Sequence, residues 1–223
     1  MGFQIAIDGP SASGKSTVAQ RIAAELENCF YINTGNMYRA LTMRCLEEGV
    51  ETSDEAAVSA FLSQVDIAYQ LQSGGKLVLT IDGQAADMHK VRAPEVAEQV
   101  SLVARVAAVR TWLVERQRES AVLGNVVMEG RDIGTVVFPD AQFKFFVTAT
   151  PEERARRRLA QPGETVNGAT LAKVAAAIAA RDKMDSERQV SPLRPAVDAE
   201  VIDTTEMTIA DVVAYIIDKV AEK

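Results

Sequence analysis

A chain of 223 residues and 24.1 kDa falls between one and two ordinary domains, which favours a single α/β domain carrying an insertion. With 48% apolar residues, 25% charged residues and only 7 prolines, it can bury a sizeable core, so fibres and bare linkers are excluded. Acids outnumber bases 31 to 24 for a formal net charge of −7, which removes the usual drive for nucleic-acid backbone binding and leaves any anionic ligand to be caught locally.

Residues 3–8 form a short β-rich run that stops at Gly9, and a helical pattern follows over 16–26. A second apolar run at 30–32 gives way at Thr34-Gly35 to a helix through Tyr38, Leu41 and Leu46. From Val65 the period changes: 65–71 and 77–81, joined by Gly74-Gly75 and followed by Asp82-Gly83, read as a small antiparallel meander within an insertion. A long helical stretch over 94–119 leads to a buried strand at 126–128 and another at 143–147. Residues 151–159 are helical and arginine-rich, 161–168 form a polar glycine-containing loop, and 169–185 are helical again. A last strand at 200–203 precedes a helix that opens at Thr208, with Asp211 as a partial capping box.

The stretch Gly9-Pro10-Ser11-Ala12-Ser13-Gly14-Lys15-Ser16-Thr17 satisfies GxxxxGK[ST], with a strand before it and a helix after it. Glycines let the backbone curl so that successive N–H groups and a helix N-terminus point at phosphate oxygens. Lys15 would reach the β and γ phosphates of ATP and the Ser16 hydroxyl would ligate Mg²⁺. The plainer alternative is a glycine turn capping a helix. A signalling GTPase needs NKxD and DxxG, and neither string occurs; the Walker-B candidate, Val126-Val127-Met128-Glu129, ends on one acid. A small phosphotransferase fits better, since phosphoryl transfer to an anionic acceptor needs neutralisation, positioning and dryness more than acid-base chemistry. Arginines outnumber lysines 16 to 8, which suits bidentate phosphate binding. Arg154, Arg157 and Arg158 share one helix face, either as a lid over ATP or as a solvated helix end. Glu129 either holds Mg²⁺ through water or closes a strand end.

Four further segments resemble the bacterial-type cytidylate kinases, and the resemblance spans nearly the whole chain. They are Thr34-Gly35-Asn36-Met37-Tyr38-Arg39; Ser101 with Arg110; Gly130-Arg131-Asp132-Ile133-Gly134-Thr135; and the run from Arg181 through Asp185 to Arg188, followed by Ser191-Pro192-Leu193. The resemblance implies an α/β fold, with a P-loop NTPase-type parallel sheet flanked by helices. It also implies an acceptor-binding insertion over 36–105 that contains the small antiparallel sheet, and a short lid over 151–168, all within a single kinase domain of residues 1–223. It implies CMP contacts by Thr34, Arg39, Ser101, Arg110, Arg131, Asp132, Arg181, Asp185 and Arg188. ATP would be bound by residues 9–17 and Arg154, and Lys15, Arg131, Arg157 and Arg158 would be catalytic. Asp132 would accept from the cytosine amino group, which uracil lacks. The family usually carries Asp at Asn33, Asp at Glu129 and Pro at Ala107, and a longer loop than 161–168.

The expected reaction converts ATP and CMP or dCMP to ADP and CDP or dCDP, with Mg²⁺. Another small kinase, for UMP, AMP or a non-nucleotide acceptor, and a nucleotide-gated regulatory module without turnover are the alternatives. Two cysteines without a CxxC and one histidine support neither a disulfide framework nor a zinc site. The cysteine usage reads as reduced and cytoplasmic, and with no apolar run near 18 residues no membrane partner is expected; a monomer without a nucleic-acid partner is the expectation.

Overall fold

The computed structural model describes residues 2–161 and 168–222. The chain divides into a first unit, Met1–Tyr31 with Gly124–Lys223, and a second, Ile32–Leu123. In the first unit β1 (Gln4–Asp8) is flanked by β6 (Asn125–Gly130) and β7 (Phe143–Thr148), both parallel to it, and β8 (Glu200–Asp203) is parallel to β7. With β2 (Cys29–Asn33), whose last residues enter the second unit, the sheet order is β2-β6-β1-β7-β8. Ile5, Ala6, Ile7, Val126, Val127 and Met128 are fully buried, as unbroken apolar runs in the middle of a parallel sheet should be.

Helices α1 (Lys15–Glu25) and α9 (Ile209–Ala221) supply Val18, Ala19, Ile22, Val212 and Ile216 to the same core as Ile5, Ile7, Val127, Phe145 and Val147. Thr208 and Asp211 complete a reciprocal capping box at the start of α9, as their spacing suggests. Helices α7 (Pro151–Ala160) and α8 (Leu171–Ser186) meet through Ala155, Val174 and Ile178. Pro151 opens α7, behind Thr150, whose hydroxyl accepts from the Glu153 amide. Residues 162–167, most of the expected lid loop, lie outside the described residues.

The second unit holds α2 (Thr34–Glu47), α3 (Glu55–Phe61), the antiparallel strands β3 (Ile67–Leu71), β4 (Leu77–Ile81) and β5 (Gln84–Ala85), a short α4 (Met88–Val91), α5 (Pro94–Arg105) and α6 (Ala107–Glu119). Its own core joins Met37, Leu41, Val58, Ile67, Val100 and Leu113. The meander forms where the change of period placed it, and Gly74 and Gly75 take the positive φ values of +105° and +79° that its turn requires.

The single helix expected over 94–119 is two. Val106 adopts φ −65°, ψ 120°, ending α5 and capping α6, and its side chain is buried. The apolar pattern continues through the break because Val103, Val106 and Val109 all face the same core, so periodicity alone hides it. Also unanticipated are α3, whose first amides are accepted by Asp54, and a π-helical turn, Ile133–Val137, just beyond β6. No helix among the described residues is long and apolar enough to cross a membrane.

Candidate active site

The loop from Gly9 to Thr17 leaves the end of β1 where only glycine fits: a Cβ on Gly9 would lie 2.0 Å from the Val147 carbonyl oxygen. Gly14, at φ +91°, caps α1 without a side-chain acceptor, and no acid stands in the first turn, so the positive end of the helix is not offset by nearby carboxylates. Lys15 is buried, and its Nζ donates to the Pro10 carbonyl at 2.6 Å and to Ser13 Oγ at 3.2 Å. Burial, with Arg131 close by, pushes the Lys15 amine down to about 7, against the pull of Glu129, Asp8 and Asp182. An anion arriving there would favour the charged form. Ser16 is exposed and Thr17 half-buried in the first turn of α1.

The arginine face of α7 turns toward that loop rather than to solvent. Arg154, buried, donates from Nη1 to the Ser11 carbonyl at 3.0 Å and from Nε to the Ala149 carbonyl at 3.1 Å, and pairs with Asp182. Arg157 donates to the Ser13 carbonyl at 3.3 Å and to the Thr204 carbonyl at 2.6 Å, with Glu153 on its Nε at 3.0 Å. Arg158 reaches Ser11 Oγ at 3.5 Å. The i, i+3, i+4 spacing thus places three guanidinium groups against Ser11 and Ser13 of one glycine loop.

Helix α8 contributes acids as well as Arg181. Asp182 accepts from the Ser11 amide at 2.9 Å while pairing Arg154, so it ties the loop to α7. Asp185, buried, accepts from Arg131 Nε at 2.8 Å and also pairs with Arg188. Burial alone would raise the Asp185 carboxyl, but Arg131, Arg188 and Arg181 outweigh it and hold it below the ordinary range. Burial works against the Arg131 charge too, and Asp185, together with Asp182 and Glu129, outweighs it.

At the end of β6, Glu129 is buried and accepts from the Tyr31 hydroxyl at 2.7 Å. Asp132 follows at φ −146°, ψ 26°, its carbonyl accepting from the amides of Val136 and Val137. Asp8 accepts at both carboxylate oxygens, from the Ile133 and Gly134 amides, each at 2.8 Å.

In the second unit Asn33 caps α2, its side chain accepting from the Asn36 amide at 3.1 Å, and Tyr69 donates to its carbonyl at 3.1 Å. An uncharged side chain therefore does the capping. Thr34 and Tyr38 are buried on α2 and Arg39 is half-buried. The bend at Val106 returns Arg110, almost wholly buried, to donate to the Ala104 carbonyl at 3.4 Å, three residues beyond the half-buried Ser101 on the same helix. Its guanidinium lies 5.5 Å from the Tyr38 ring centroid. Thus Thr34, Tyr38, Ser101 and Arg110 belong to the one helical cluster of α2, α5 and α6.

The model of the cytidylate kinase family matches residues 5–222. The chain belongs to the cytidylate kinase family. It is 46% identical over 220 residues to the cytidylate kinase of Pelotomaculum thermopropionicum, covering 97% of this chain and 95% of that one. It is 45% identical over 230 residues to the cytidylate kinase of Bacillus subtilis, covering 99% and 97%. Among solved structures a shikimate kinase from Bacteroides thetaiotaomicron matches with a TM-score of 0.50 at 12% identity over the full length of both chains, a likeness of fold. In this cytidylate kinase family member Asp8 and Asp182 also belong to the site, though neither was assigned a role from the sequence. Asp8, a lone acid at a strand end, carries no spacing signal, whereas Asp182 is the first acid of the RDxxDxxR run and went without a role because its partners, Ser11 and Arg154, lie far away in the sequence.

Proposed function

We propose that the chain transfers the γ-phosphoryl group of ATP to CMP or dCMP, giving ADP and CDP or dCDP. The observation that carries this reading is the convergence of Lys15, Arg154, Arg157 and Arg158 on one glycine loop, in a chain matched to the family over 5–222. Loop amides and the start of α1 hold the β and γ phosphates, and Lys15 follows the charge as it moves to the leaving oxygens. Arg157 and Arg158 exchange loop oxygens for equatorial oxygens of the transferring group, while Arg154, tied to Asp182, keeps α7 in place. Arg131 and Arg188 carry the acceptor phosphate with Arg39, and Asp185 aims both guanidinium groups. Thr34, Ser101, Arg110, Asp132 and Arg181 hold the base and sugar of CMP, Asp132 by accepting from the exocyclic amine.

Mg²⁺ fits these residues. The exposed Ser16 hydroxyl is a hard oxygen donor, and the ion keeps water and phosphate as most of its ligands. The protein's share of its ligands would be the Ser16 hydroxyl, with Glu129 through water. When bound, the ion would offset the negative charge of the β and γ phosphates and so ease cleavage of the bond between the γ phosphorus and its bridging oxygen. The reading is of a cytoplasmic, monomeric enzyme acting on free nucleotides.

A coupled ADP-release assay across CMP, dCMP, UMP, AMP and GMP tests it, with ADP expected only when a cytidine monophosphate is supplied. Lys15→Ala should lower kcat by about a hundredfold or more, a loss of roughly 3 kcal/mol of transition-state stabilisation, with CMP binding changed less than about threefold. Unchanged kcat overturns the role of Lys15, and ATP binding without turnover under every acceptor overturns the kinase.

A further inference from the structure

Asp8 stands immediately before Gly9 and is buried, yet no phosphate-loop pattern calls on it. Its two carboxylate oxygens accept one amide each, from Ile133 and Gly134, the residues directly after Arg131 and Asp132. Burial, with Asp132 close by, pushes the carboxyl up to about 7 against those two hydrogen bonds and against Lys15, so a polar side chain is buried here at a cost that an apolar residue would avoid.

We propose that Asp8 is a positioning residue: its carboxylate ties the first turn of the phosphate loop to the segment that carries Arg131 and Asp132, and so sets the spacing between donor and acceptor contacts. The inference rests on the kinase reading above. On the loop side there is no slack, because the backbone of Gly9 is pressed against the Val147 carbonyl. On the other side the π-helical turn is hemmed in from below. A Cβ on Gly134 would lie 3.2 Å from Lys144 Cδ and 3.5 Å from Asp8 Oδ2, and Lys144 itself is anchored on the Pro139 carbonyl and, at 2.7 Å, on Asp198. Asp132 leaves β6 in a non-helical conformation and Arg131 is already tied to Asp185, so the placement of both depends on where residues 133 and 134 are held. A carboxylate holds both amides at once. The isosteric carboxamide has one acceptor and one donor, so it meets one of the two amides with an N–H.

Asp8→Asn is the test, measured beside wild type for melting temperature, ATP and CMP affinity, kcat, and the ratio of kcat/KM for CMP over UMP. Displacing Arg131 should lower kcat with CMP by about tenfold to a hundredfold, while ATP affinity stays within about threefold. Displacing Asp132 should lower the CMP-to-UMP ratio at least about fivefold, a change that a loss of stability alone does not make. Both changes together support the assignment, and either quantity staying within about threefold of wild type overturns it, whatever happens to the melting temperature. Should Asp8→Asn fail to fold, Asp8→Glu keeps both acceptor oxygens but displaces them by one methylene, and it is read by the same two quantities. Wild type that releases no ADP with CMP marks failure of the kinase reading, whereas an active wild type with an equally active and selective variant marks failure of this one.

Discussion

Asp185 faces two guanidinium groups, and their pull sets the direction in which its contribution to stability changes with pH. Its carboxyl is held below its ordinary value by Arg131, Arg188 and Arg181, so it contributes stability that is present above about pH 4 and is lost as pH falls through the lowered value. Asp185→Asn leaves two mostly buried arginines short of a partner and should destabilise the protein by about 2–4 kcal/mol at neutral pH. Urea unfolding at pH 7 and pH 3 checks this: the difference between variant and wild type should shrink at the acid pH, and a constant difference would remove the carboxylate from the account. Single residues were legible in the sequence only where a motif fixed their spacing. Lys15, Arg131, Asp132 and Arg188 stand out in this way, and the α7 arginines stand out by helical period. Asp8, Asp182 and Tyr31 act through partners 125, 171 and 98 residues away, and nothing local to them announces that.

At the level of elements, the strand-loop-helix entry, the meander and the capped final helix were all readable, because each carries a period, a glycine turn or a cap. The interruption at Val106 was not, since the residues on either side keep the apolar stripe intact. The break has its own logic. Val106 takes the extended conformation that a following proline demands, and Ala107 occupies the first helical position, whose amide has no intrahelical partner. The family's usual proline is therefore compatible with this backbone. Ala107→Pro should stabilise by about 0.4–1 kcal/mol through the unfolded chain, seen as a higher melting temperature with unchanged far-ultraviolet circular dichroism. A lower melting temperature would mean that the amide of Ala107 is needed.

Across the whole molecule the chain builds two cores: Ile5, Ile7, Val18, Ile22 and Phe145 belong to one, Met37, Leu41, Val100 and Leu113 to the other. An insertion is expected over 36–105, with its antiparallel part legible from the change of period at Val65; the second unit, Ile32–Leu123, holds the helices on both sides of the meander because they bury their apolar faces with it. Trp112, the single tryptophan, packs against the second core beside Leu113 and reports on it alone. Leu113→Ala should cost about 2–5 kcal/mol and move the fluorescence midpoint in urea to match, and an unmoved midpoint would show that this core does not limit the unfolding Trp112 senses. The order of strands also bears on biosynthesis. Gln4 is paired with Val126 and Ile5 with Phe143, so both neighbours of β1 emerge from the ribosome only after the entire run Ile32–Leu123. At about 5–20 residues per second the nascent β1 waits on the order of ten seconds for its partners, while the intervening helices and hairpin already have all of theirs. The inserted unit is thus timed to fold first, and the phosphate loop acquires its shape last.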